Sequence, residues 1–84
     1  MSYEVIVERK ARKALARLPS TVYDRAMQAV NDLAEDPRPR QSRSLQGRVG
    51  RRLRVGDYRV IYQVDDDRRE VFVAEVWHRQ REYR

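Results

Sequence analysis

The sequence predicts a small α+β domain in the order β-α-α-β-β-β, with a two-helix hairpin packed on one face of a mainly antiparallel sheet. Three observations carry this. Apolar residues recur at three- and four-residue spacing between Arg9 and Leu33, and from Arg51 they alternate with polar ones. Between the two regions lies a stretch built from turn-forming residues.

Taken in order, Tyr3 to Val7 (Tyr-Glu-Val-Ile-Val) is β-rich and long enough for one strand. From Arg9 to Leu18, Ala11, Ala14, Leu15 and Leu18 fall on one face of a helix that Pro19 should end. Ser20 is placed to cap a second helix, whose stripe is Val22, Ala26, Ala29 or Val30, and Leu33. That pattern stops before Pro37. Residues 36 to 50 hold two prolines, two glycines and two serines and read as a loop, with Leu45 as its apolar anchor. Leu53 and Val55 then alternate with Arg52 and Arg54, Gly56-Asp57 makes a turn, and Tyr58 to Val64 completes a hairpin. After a polar turn at Asp65 to Arg69, residues 70 to 77 form a last strand, followed by a short basic tail. Leu53, Val55, Val60, Tyr62 and Val64 should face the helices, leaving Arg52, Arg54, Arg59 and Gln63 on the open face.

The 84 residues make one domain, 1 to 84, with no internal repeat. Cysteine is absent and His78 is the single histidine, which rules out a disulfide scaffold and leaves no plausible zinc set. No apolar run is long enough for a membrane span or a signal peptide, so a soluble, cytoplasmic protein is expected. The net charge of +6 is unevenly spread. Residues 1 to 37 are neutral, with six basic and six acidic side chains, whereas residues 38 to 64 hold eight arginines against the single acid Asp57. A stripe of that density is a candidate phosphate-binding surface. The run Asp65-Asp66-Asp67 reads as a solvated turn rather than a metal site.

Signatures of phosphate loops, metalloproteases and cysteine or serine nucleophiles are missing. A basic surface with interspersed aromatics suits RNA, and RNA cleavage needs no cofactor. The 2′-hydroxyl can attack the adjacent phosphate if cations stabilise the developing charge and acid-base groups move the protons. Guanidinium groups match that phosphate in shape and charge. Tyr58, Tyr62, Trp77 and Tyr83 are candidates for stacking on bases, with packing the commoner role for Tyr58 and Tyr62.

The stretches Ser44-Leu45-Gln46-Gly47, Leu53-Arg54-Val55-Gly56-Asp57-Tyr58-Arg59-Val60-Ile61-Tyr62 and His78-Arg79, followed by Tyr83-Arg84, resemble the RelE/ParE superfamily of toxin-antitoxin toxins. With the Tyr3-to-Val7 strand and the two helix ends, the likeness covers essentially the whole chain. It implies a RelE-like, microbial-RNase-like fold. RelE-type members are ribosome-dependent mRNA endonucleases, while ParE-type members poison DNA gyrase and lack the nuclease residues.

By that resemblance Arg52 and Arg54 lie near the scissile phosphate, Arg59 contacts phosphate, Arg79 stabilises charge or protonates the leaving group, and Tyr83 orients or stacks on substrate. His78 joins this catalytic set, and Arg43, Arg48, Arg51 and Arg81 are expected to contact RNA. The pattern favours the nuclease branch, with A-site cleavage giving a 2′,3′-cyclic phosphate and inhibiting translation. One departure stands out: the best-known nuclease members use lysine on the second strand, and here no lysine follows Lys13. Arginine stays protonated and makes a poor base. The base is then His78, an acid such as Glu75 or Glu82, or a group of the ribosomal RNA.

The implied partners are a RelB-like antitoxin, the ribosome and mRNA, with operator DNA reached only through the toxin-antitoxin complex and no membrane. No cofactor or metal is implied. The alternatives are a ParE-like gyrase inhibitor that cuts nothing, and a degenerate toxin acting only within a repressor complex.

Overall fold

A computed structural model describes residues 2–82. Strand β1 (Glu4–Val7) leads into helices α1 (Arg9–Ala16) and α2 (Ser20–Asp32). Strands β2 (Ser42–Ser44), β3 (Arg51–Val55), β4 (Tyr58–Asp65) and β5 (Glu70–His78) follow, then a short helix α3 (Arg79–Glu82). The sheet order is β1-β5-β4-β3-β2, antiparallel except where β1 pairs parallel with β5. The α+β prediction therefore holds.

Both helical stripes are buried on one sheet face. Ala11 and Leu15 of α1 and Ala26 and Val30 of α2, with Leu33 just beyond, close over Leu53, Val55, Val60, Tyr62, Val71 and Val73. Alternation along β3 and β4 produces this directly, since every second residue must face the same side. Tyr62 is fully buried, and its hydroxyl donates to the Pro37 carbonyl at 2.6 Å. Its ring thus packs in the core while its polar end ties β4 to the chain leaving α2.

Three local expectations change. Ser20 does not cap α2: Pro19 precedes the helix, its carbonyl accepting the Tyr23 amide at 2.8 Å, so Ser20 lies inside the first turn and its side chain makes no capping bond. The first helix ends at Ala16, ahead of Leu18, because a residue before proline is driven out of the helical region. Residues 42 to 44, read as loop, form the edge strand β2 opposite Arg51 to Leu53. Pairing with an established neighbour, not local propensity, makes Ser-Arg-Ser a strand.

Glycine is required at two positions. Gly56 has φ 56° at the first central position of the β3–β4 turn, a conformation glycine adopts without steric cost. At Gly50 (φ 129°) a Cβ would lie 3.1 Å from the Tyr62 carbonyl oxygen and 3.1 Å from Leu45 Cδ1, so the β2–β3 loop can approach β4 only without a side chain there. Leu45 is half-buried at that contact, the anchor expected of it.

Candidate functional site

The face of the sheet away from the helices carries the arginines in rows set by strand register. Arg43, Arg52, Ile61 and Glu75 are successive partners across β2 to β5, and Arg54, Arg59 and Trp77 are successive partners across β3 to β5. Directly paired residues project to the same side. Arg40, Gln41, Arg43, Arg52, Arg54 and Arg59 accordingly line a single cleft of about 300 Å³, with no carboxylate among the described residues of its wall. Farther along the same face, register places Asp65, Glu70 and Glu4 together, so charge runs from positive near the β3–β4 turn to negative near the β4–β5 turn.

The cleft is held by ordinary backbone chemistry. Arg59 Nη1 donates to the Gly56 carbonyl at 3.0 Å and the Tyr58 carbonyl at 2.9 Å, which fixes its guanidinium against the turn. The Arg54 amide donates to the Gln41 carbonyl at 3.0 Å, carrying the β2 pairing one residue farther and holding the segment with Arg40 beside β3. That segment is secured again at its far end. Arg38 donates both guanidinium nitrogens to Asp66, at 3.2 and 2.9 Å, and the Tyr3 hydroxyl donates to the same carboxylate at 2.6 Å.

This clasp shifts the titration of its members. The Arg38 hydrogen bonds, then that of Tyr3, hold Asp66 below the usual carboxylate range. The Asp66 hydrogen bond, followed by burial, raises Tyr3, and the same carboxylate raises Arg38. Asp66 is exposed in its turn, as expected, and there it also ties Tyr3 to Arg38, which is drawn out of the basic stripe toward it.

Of the residues the sequence singled out, Arg43, Arg52, Arg54 and Arg59 come together in the cleft. Arg51 does not. It shares the parity of Leu53 and Val55, and its guanidinium donates to Ser42 Oγ at 3.0 and 3.2 Å and to Ser44 Oγ at 3.2 Å, bracing the β2 edge. Arg48 sits in the β2–β3 loop with Nη2 4.0 Å from Glu75 Oε1.

His78 is also elsewhere. It pairs with Tyr58, whose parity is that of core residue Val60, and the two rings meet edge to face with centroids 5.1 Å apart. Its Nδ1 accepts the Gln80 amide at 3.2 Å. The period-two pattern places His78 opposite in sense to Trp77, on the helix side of the sheet, away from the arginines.

Arg79 caps the turn end of the arginine face. Its amide donates to the Asp57 carbonyl at 2.7 Å, and its Nε lies 3.6 Å from Asp57 Oδ1. Arg81 belongs to α3, its side chain outside the described residues, as is Tyr83 altogether. Arg40 and Gln41 are the cleft residues that sequence reasoning passed over. The charge run marked Arg40, but only the β2 pairing brings it beside β3.

A search against curated proteins by sequence returns no match. A family model described as the ParE toxin of type II toxin-antitoxin system, parDE, matches residues 5–83. Among solved structures, RelE in the archaeal RelE–RelB complex from Pyrococcus horikoshii OT3 is similar at 32% identity and TM-score 0.85, covering 96% of this chain and 99% of that one. The toxin-antitoxin complex RelBE2 from Mycobacterium tuberculosis matches at 28% identity and TM-score 0.83, over 94% of this chain and 100% of that one. A mutant of the E. coli toxin RelE in its free state matches at 29% identity and TM-score 0.78, over 99% of this chain and 90% of that one. With a family model spanning nearly its whole length and a RelE chain matching it end to end, the chain belongs to the ParE toxin family of type II toxin-antitoxin systems, within the RelE/ParE superfamily.

Proposed function

We propose that this toxin is a ribosome-dependent mRNA endonuclease that cleaves message in the A site by attack of the 2′-hydroxyl on the adjacent phosphate. The observation that carries the reading is the cleft lined by five arginines and Gln41. Guanidinium groups gathered in one cleft can stabilise the charge that develops on a phosphorane. Arg59 is held in place by two carbonyls, so it needs little reorganisation to act on that charge. Arg52 and Arg54 share the task, Arg79 serves the leaving-group end, and Trp77, paired with Arg59, offers a ring for base stacking. Arg40 and Arg43 contact the flanking backbone. The nucleophile belongs to the RNA, so the residues named here bind, orient and neutralise.

The relatives from P. horikoshii and M. tuberculosis are toxins solved with their antitoxins. By that likeness a RelB-like antitoxin holds this chain inactive, its acids meeting the arginine face. Operator DNA is reached only through that complex.

A second reading is supported by the family model itself, which describes a ParE toxin, and by the distance of His78 from the cleft. In it the chain inhibits DNA gyrase by protein contact and cuts nothing. Primer extension on a translated reporter message, beside a gyrase supercoiling assay on the same preparation, separates the two. Cleavage within the A-site codon, on translated message only, is expected. Intact message with inhibited supercoiling would establish the second reading instead.

A further inference from the structure

An arginine cleft can stabilise charge but cannot take a proton at neutral pH, and His78 lies on the other side of the sheet. Among the described residues, register places the acid Glu75 in one row with Ile61, Arg52 and Arg43. Arg52 and Glu75 stand two strand spacings apart on the same face, about 10 Å. Ile61 between them is buried yet stands outside the main core, giving the row an apolar floor.

The Glu75 carboxylate is in an unusual state. Its Oε1 is buried and, among the described residues, accepts no hydrogen bond. Two cations flank it without bonding it: Lys10 Nζ from α1 lies 3.7 Å from Oε2, and Arg48 Nη2 lies 4.0 Å from Oε1. A buried acceptor without a donor is disfavoured in a fold, and a catalytic role is one reason to keep it. Arg48 is carried on the exposed loop between Gly47 and Gly50, both at positive φ, and covers the oxygen from across β4.

From this geometry we infer that Glu75 is the general base of the cleavage reaction, uncovered when Arg48 leaves it for an RNA phosphate. The inference rests on the nuclease reading above. In the step, Glu75 Oε1 takes the proton of the 2′-hydroxyl, the 2′-oxygen forms a bond to phosphorus, and the P–O5′ bond breaks. The leaving 5′-oxygen takes a proton from water, the hydroxide so formed takes the proton back from the Glu75 carboxyl, and the products are a 2′,3′-cyclic phosphate and a 5′-hydroxyl. General base catalysis of this kind contributes about 10² to 10⁴ in rate.

The test is single-turnover cleavage of message on programmed ribosomes by wild type, Glu75→Gln and Glu75→Ala, with binding measured on a 2′-O-methyl message that cannot react. Expected are a loss of about 10²-fold or more in Glu75→Gln with binding intact, and partial recovery of Glu75→Ala by added formate, which replaces the missing carboxylate. Cleavage by Glu75→Gln at the wild-type rate overturns the assignment and leaves the nuclease reading standing. Loss without formate rescue also overturns it, since a structural role predicts that pattern. A wild-type chain that cuts no translated message overturns both readings together.

Discussion

Arg54 and Arg59 face each other as direct partners across the β3–β4 hairpin, two like charges in cross-strand opposition. Arg43 and Arg52 repeat the arrangement across β2 and β3. Like charges directly opposite weaken a sheet, where an aromatic or β-branched pair would strengthen it by a few tenths to about 1 kcal/mol. A fold that keeps two such pairs side by side gives up stability for a concentrated positive surface.

Replacing Arg54 with threonine should therefore raise stability by a few tenths to about 1 kcal/mol while weakening RNA binding. The salt slope of binding to single-stranded RNA should fall by about 0.7, the share of one phosphate. Thermal unfolding together with a binding titration across salt concentrations checks both. A variant that is less stable and binds unchanged would show that the opposition carries no cost and the cleft no phosphate.

Tyr62 links the core to the segment that walls the cleft. Tyr62→Phe keeps the ring but leaves the Pro37 carbonyl without its 2.6 Å donor in a buried setting, a loss of about 1 to 2 kcal/mol. Urea denaturation should report a lower midpoint with an unchanged slope.

The Asp66 clasp makes a pH prediction. Its carboxyl is held below its ordinary value of about 3.9 in the folded chain, so the stabilisation is present at neutral pH and is lost as pH falls through the depressed value. Tyr3, raised by the same bond, contributes below about pH 10 and loses that contribution as pH rises through its elevated value. Asp66→Asn should lower the melting temperature at pH 7, and its deficit should close as the pH drops below about 4. Melting curves of the two proteins, followed from neutral into strongly acidic solution, measure the gap. A gap independent of pH would remove the clasp from the account.

His78 and Arg59 should separate cleanly in cleavage assays. Arg59→Ala removes a positioned cation from the cleft and should cost about 10² to 10³ in rate. His78→Asn, which alters a side chain on the opposite side of the sheet, should leave the rate within a few-fold. Without the edge-to-face pairing with Tyr58 it should cost about 0.5 to 1.5 kcal/mol of stability. Equal rate losses in both variants would place His78 in the reaction despite its position.

Much of this protein is legible in the order of its residues. Periodicity assigns both helices and the three long strands, because burial of one face imposes a period of 3.6 or of 2 on the apolar residues. The same alternation is enough to put Arg52, Arg54 and Arg59 on one face. Harder to read are Ser42 to Ser44, whose strand exists only because β3 offers a partner, and Ser20, displaced from its capping role by the proline before it.

Fold class, basic face and family all follow from local pattern and from motifs that lie close together in the chain, so the order of residues is sufficient for them. Which charges meet is a matter of tertiary structure. Arg51 and Arg52 are neighbours in sequence, yet one braces two serines at the edge of the sheet and the other joins the cleft. His78, named with Arg79 in one motif, turns toward Tyr58, while Glu75, three residues earlier, lies in register with Arg52 across Ile61. Which side chains share a site depends on strand register, and register is set by long-range pairing and by the bulge between Ile61 and Tyr62, neither of which a local pattern encodes.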